Sequence, residues 1–240
     1  MTMRSITRIG AIFTLLLITG CAEEKKPEYG TERALYLSST TRQTWAVAPV
    51  LNLSGQREVD PILQADLVYG QLQQVAGLNV LPVNRVVEVY RALKIDQVQS
   101  EEQAALVCQL LGCDALLIGT VSLYDPYDPP RMGASLQLFR SGKGVQGQNV
   151  DPRELARRAA PPPAAVAPAQ ATFLQAIGMF DASNGSTRAD VQRYATGRND
   201  PSGPLRDRAY LLEMDRYCGF VYHSLVEELL AKPALQQQGS

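Results

Sequence analysis

Histidine is nearly absent from this chain: His223 is the one example in 240 residues. Nucleophilic catalysis with an imidazole base would have to recruit it, yet it stands beside Tyr222 in a helical pattern and reads as a packed or surface residue. A zinc site is not expected either. Cys108 and Cys113 form a lone C-x4-C, with neither a second pair nor histidines to complete a tetrahedral shell. Gly142, Gly144 and Gly147 have dinucleotide-loop spacing but fall in a Gly/Pro/Ala-rich stretch, and there is no Walker loop or G-x-S-x-G elbow. Asp125 and Asp128 share a loop without a calcium-loop glycine and read as a solvated turn. The chain is therefore expected to be a non-enzyme with no cofactor, no metal and no small-molecule substrate.

A long apolar run is missing too. The greasiest stretch, Ile9 to Ile18, is about half the ~20 residues that a spanning helix requires. It follows Arg4 and Arg8 and precedes Thr19, Gly20 and Cys21, which is the layout of a signal peptide over residues 1–20 cut between Gly20 and Cys21. The five residues Leu17-Ile18-Thr19-Gly20-Cys21 resemble the lipobox of bacterial lipoproteins. That resemblance implies a diacylglycerol on the Cys21 thiol and Cys21 as the mature N-terminus; the alternative is a secretory signal with a coincidental cysteine. Ala22-Glu23-Glu24 lacks the aspartate that marks inner-membrane retention in such lipoproteins, so the resemblance implies an outer-membrane, periplasm-facing location.

Excess positive charge is also lacking. Loss of Arg4 and Arg8 leaves 21 of 23 basic residues against 24 acidic ones, so no electrostatic footprint for nucleic acid or anionic lipid exists. Membrane affinity would come from acyl chains, at ~0.8 kcal/mol per buried CH₂.

With Cys21 assigned to lipid, three cysteines remain. Cys108 and Cys113 stand across the expected end of a helix, where residues five apart point to different sides, beyond the ~7 Å Cα separation that a disulfide bridges. Cys108, Cys113 and Cys218 are therefore expected to be small apolar core fillers.

What is present is a regular alternation of strand and helix patterns. Residues 21–35 are charged, carry Pro27 and Gly30, and read as a flexible tether. Residues 36–231 read as one α/β (α+β) domain with a single mixed sheet flanked by helices. Trp45 to Leu51 is apolar on both faces, as a covered strand should be, with Pro49 suggesting an edge or bulge. Asp60-Pro61 starts a helix running to about Ala76. Leu78 to Val83 reads as a strand, Asn84 as the cap of a helix over 85–93, and Ser100 with Gln103 as a capping box for a helix over 101–111. Ala115 to Val121 is a buried strand, and alternation marks strands over 134–140 and 172–180. Between them, the Pro/Ala-rich residues 141–170 are expected to form a disordered hairpin insertion. Residues 232–240 read as a disordered tail.

Arg206 to Ala231 gives the strongest helical pattern, with Leu211, Met214, Cys218, Val221, Leu225 and Leu229 in one stripe. Such a stripe packs on its own sheet, or else binds a partner or a second copy.

Four stretches share wording with a known domain: WAVAPVLNLSG (Trp45 to Gly55), ADLVYGQLQQ in the next helix, GLNVLPVNRVVEVYRAL (Gly77 to Leu93) and AALVCQLLGCDALLIGTV (Ala104 to Val121). They resemble a recurrent envelope domain found at the N-terminus of the Tol-system propeller protein, in the curli secretion lipoprotein and in lipoprotein activators of peptidoglycan synthases. The resemblance implies an envelope protein partner or self-association without catalysis. Its alternative is a subunit of an oligomeric curli-type export pore, although the proline-rich segment between the last two strands does not suit membrane-crossing hairpins.

Overall fold

The computed structural model describes residues 34–39, 41–140, 172–199 and 203–236. The signal segment 1–20, Gly20 and Cys21, nearly all of the tether and the insertion over 141–170 lie outside the described residues.

The expected single mixed sheet flanked by helices is present, joined by a small accessory pair. That pair is β1 (Leu35–Tyr36) and β4 (Val75–Ala76), parallel to each other. The main sheet contains β2 (Gln43–Val47), β3 (Leu51–Asn52), β5 (Leu78–Leu81), β6 (Ala115–Asp125), β7 (Arg131–Arg140) and β8 (Thr172–Asp181). Its order is β5-β2-β6-β7-β8, with β3 also paired to β6. Pairing is parallel as far as β6 and antiparallel from β6 through β8. Parallel neighbours need crossovers. Helix α1 (Pro61–Gln73) runs from β3 to β4, while α2 (Val83–Leu93) and α3 (Glu101–Leu111) run from β5 to β6.

Pro49 divides the strand expected over 45–51 into β2 and β3, but not at an edge, because β2 lies between β5 and β6. Proline offers no donor, and the next amide, Val50 N–H, donates to Pro61 O at 3.0 Å instead of to a neighbouring strand. The start of α1 is as its sequence indicates, with the Asp60 carboxylate accepting from Ile62 N–H at 2.8 Å and Leu63 N–H at 3.2 Å. The helix stops at Gln73, short of Ala76, because Val75 and Ala76 pair with β1. Helix α2 begins at Val83 behind Pro82, without the side-chain cap expected of Asn84. For α3, Ser100 Oγ accepts from Gln103 N–H, and Gln103 Oε1 accepts from Gln99 N–H.

After β8 come α4 (Gly185–Ala195), a 3₁₀ turn (Arg206–Arg208), α5 (Ala209–Leu212), α6 (Met214–Leu230) and α7 (Pro233–Gln236). The continuous helix expected over 206–231 is thus broken. Glu213 is extended, with φ −104° and ψ 109°, and re-aims the chain before α6. Residues 233–236 are helical with Leu235 buried, which corrects the expectation of a tail beginning at 232.

Strand periodicity sorts the core into two layers. Trp45, Val47, Ala115, Leu117, Leu136, Leu138 and Ala176 face α1 and α6. Ala46, Ala48, Leu116 and Phe139 face α2 and α3, with Val86, Val89, Val107 and Cys108 against them.

Candidate functional site

The stripe singled out as a partner-binding helix is buried in the chain's own core. Cys218, Val221, Leu225 and Leu229 are fully buried, and Leu211 and Met214 pack partly against the same cluster. The break at Glu213 puts Leu211 on α5, so the six residues do not even share one helix. Helix α6 lies on α1, β7 and β8. A face covered in this way presents no docking surface, which corrects the partner reading of that helix.

The open surface lies on the opposite face of the same sheet. Helices α2 and α3 cover β2 and β6 there, and their cover ends at Phe139. Beyond it the alternate residues of β8 face outward: Phe173 is 44% exposed, Ile177 69% and Met179 64%. Phe173 is tied to the covered half through Phe139, with ring centroids 5.4 Å apart. An exposed apolar set on one face of one strand differs from the scattered exposed hydrophobics found on any protein.

The same strand is one of the two edges of the sheet among the described residues, β5 being the other. The Ala182 amide donates to Pro130 O at 3.0 Å, which fixes the phase of the β7–β8 ladder. Amides and carbonyls of even-numbered β8 residues therefore point toward β7, and those of Phe173, Gln175, Ile177, Met179 and Asp181 point away. Among the described residues no strand pairs with that side, so apolar side chains and unpaired backbone groups come from the same residues. Edge strands are ordinarily blunted by charges, proline or bulges; from Thr172 to Phe180 this one carries no charge and no proline.

Charge gathers at one end of the edge. Arg131 Nη2 donates to Asp125 Oδ2 at 2.6 Å, and hydrogen bonding from Arg131 holds the Asp125 carboxyl below its ordinary value. The Asp181 carboxyl is lowered by hydrogen bonding from Ser183, whose amide donates at 2.8 Å. Elsewhere, a shallow cleft of about 520 Å³ between the α1 N-terminus and α2 is lined by Arg57, Asp60, Arg91 and Asp96, a balanced set that selects neither cation nor anion. Among the described residues no group of three His, Cys, Asp or Glu side chains is placed to hold a metal ion. No described helix is long and apolar enough to cross a membrane.

Cys108, Cys113 and Cys218 are buried and unpaired, as expected of core fillers, but the first two lie together rather than apart. Helix α3 ends in a left-handed Gly112, with φ 65°; Cys113 N–H donates to Cys108 O at 3.1 Å and Gly112 N–H to Gln109 O at 3.3 Å. This paired closure is a Schellman motif, in which the side chains at the two ends of the longer bond meet. Those side chains are here Cys108 and Cys113. They share the α2/α3 layer, and contact with the Cys113 thiol, followed by burial, pushes the Cys108 thiol well up. The expectation that they point to different sides fails because left-handed Gly112 turns the chain back over the last turn of α3.

The sequence matches no family model and no curated protein. The fold is similar to the C-terminal domain of LpoB from Salmonella enterica at 15% identity and TM-score 0.35, over 45% of this chain and 77% of that one. It is similar to PelC from Paraburkholderia phytofirmans, crystallised as a dodecamer, at 9% identity and TM-score 0.37, over 84% and 96%. Lipoprotein GNA1162 from Neisseria meningitidis is similar at 18% identity and TM-score 0.33, over 60% and 88%. At such values these likenesses carry no argument about function.

Proposed function

We propose that this chain is a non-catalytic assembly module of the bacterial envelope, held at the outer membrane by lipid on Cys21 and docking a protein on β8. The observation behind the docking half is the coincidence on one strand of exposed Phe173, Ile177 and Met179 with outward-pointing backbone groups. An added strand would extend the ladder and set its own alternate side chains beside the three, removing part of their apolar surface from water. The lipobox-like residues ending at Cys21 support the anchoring half. A photo-crosslinking residue at position 177 in intact envelopes is expected to capture a discrete protein, whereas one at the exposed Tyr36, on β1 beyond the β5 end of the sheet, is not. Capture no greater at 177 than at 36 overturns the docking site. Cys21→Ser is expected to move the protein from the membrane to the soluble fraction; retention in the membrane overturns the anchor.

Self-association on the same edge, including assembly into an export ring, is the second reading. Two antiparallel copies of β8 would keep both apolar faces on the same side of a continuous sheet, since outward-pointing residues pair with one another. A crosslinked species of twice the chain mass, with a matching size in solution, distinguishes this from a foreign partner.

A further inference from the structure

We infer that Cys108 and Cys113 are a dithiol built to close into an intramolecular disulfide, a covalent modification site at the junction of α3 and β6. The turn that follows α3 brings the two residues together: the Cys113 amide is bonded to the Cys108 carbonyl at 3.1 Å, and left-handed Gly112 folds the chain back between them. In this motif the two flanking side chains frequently pack together, and here the Cys113 thiol is a hydrogen-bonding partner of Cys108, the side-chain proximity that a disulfide needs. Both are buried in one cluster beside Leu116 and Phe139, with no other described cysteine nearby. Cys218 lies in the core on the opposite face of the sheet, so the sheet itself stands between it and this pair.

The chemistry needs an oxidant, and a disulfide of the form R–S–S–R supplies it. Cys113 is the more accessible thiol, 7% exposed against 1% for Cys108. Its thiolate attacks one sulfur of the oxidant and expels R–S⁻, giving a mixed disulfide. The Cys108 thiolate then attacks the Cys113 sulfur and expels the second R–S⁻. Two thiols are oxidised, the external disulfide is reduced to two R–SH, and the two protons lost by the cysteines go to the leaving thiolates. The product staples the last turn of α3 to the turn that leads into β6. An exported chain meets such oxidants, whereas a cytosolic one is kept reduced. The inference itself rests on the fold and not on the location.

Trypsin isolates both thiols in one peptide, Ile95 to Arg131, because no lysine or arginine lies between Lys94 and Arg131. Full-length protein incubated with glutathione disulfide, then alkylated under denaturing conditions without reduction, is expected to yield this peptide two hydrogens lighter and unlabelled. Prior reduction should restore two alkylated thiols. A peptide carrying two alkyl groups after oxidation overturns the inference, as does a link to Cys218 or a stable glutathione adduct on Cys113. Cys108→Ala is expected to convert the closed product into that glutathione adduct, and failure to do so also overturns it. Because the readout is a peptide mass, it does not depend on the docking reading.

Discussion

The Tyr222 hydroxyl on α6 donates to Gln64 Oε1 on α1 at 2.7 Å, with both side chains buried. It is a polar clasp between the two helices that cover one face of the sheet. Tyr222→Phe leaves a buried carboxamide oxygen short of its donor and is expected to cost ~1–3 kcal/mol. Gln64→Leu strands the hydroxyl at a similar cost. The double variant should lose less than the two single losses combined, because both ends of the bond go together. Urea unfolding of all three decides the matter; strictly additive losses would show that the clasp does not couple the helices.

The α6 stripe provides a second test. Leu225→Ala and Leu229→Ala remove fully buried side chains and should each cost ~2–5 kcal/mol. Leu212→Ala, at a residue 44% exposed on α5, should stay within about 0.5 kcal/mol. Small, equal losses at all three positions would return the stripe to solvent and to a partner.

Neighbouring residues on β8 should behave oppositely. Ala176 is fully buried beneath α6 and Ile177 is 69% exposed on the other face. Ala176→Lys is expected to unfold the domain or to cost more than 4 kcal/mol, roughly the exceptional range for one substitution. Ile177→Lys should leave the unfolding midpoint nearly unchanged while abolishing association, because a charge there blunts the edge. Thermal melts paired with the crosslinking assay read both arms.

Alkaline pH should weaken the fold. Burial pushes both Tyr124 and Cys218 up to about 12, from ordinary values of 10.0 and 9.0. The folded state holds these protons more tightly than the unfolded chain does. The associated stability is therefore complete below the unfolded values and is lost as pH rises from 9.0 toward about 12. Urea midpoints measured across that range should fall steadily, and Cys218→Ala should make the fall shallower without moving its onset, because the buried Cys108 thiol is also raised from 9.0. A flat profile to pH 12 would contradict the burial of these groups.

Local chemistry was the legible part of the sequence. Asp60-Pro61 starts a helix wherever its carboxylate can reach two free amides, and Ser100 with Gln103 does likewise, so both starts stand where expected. Alternation over 172–180 gave a strand, but alternation says only which residues share a face. Whether that face is covered depends on where α2 and α3 end, and this is set by packing far along the chain. The helix end at Leu111 is legible, but the spacing of Cys108 and Cys113 does not show that a left-handed Gly112 folds the chain back and brings them together. Similarly, the apolar period through 211–229 runs on across Glu213, since a short extended joint hardly disturbs the count.

The register of β7 and β8 bears on how this protein tolerates change. Arg140 and Thr172 are direct cross-strand partners, so β7 ends and β8 begins at adjacent points. For a flexible connection between two such fixed points the closing entropy grows only as the logarithm of its length, about 0.6 kcal/mol for each doubling. Relatives therefore have room to lengthen, shorten or replace what joins them while the ladder stays in step. The hairpin mouth is a socket for evolutionary grafting, and the place where an engineered tag should do least harm.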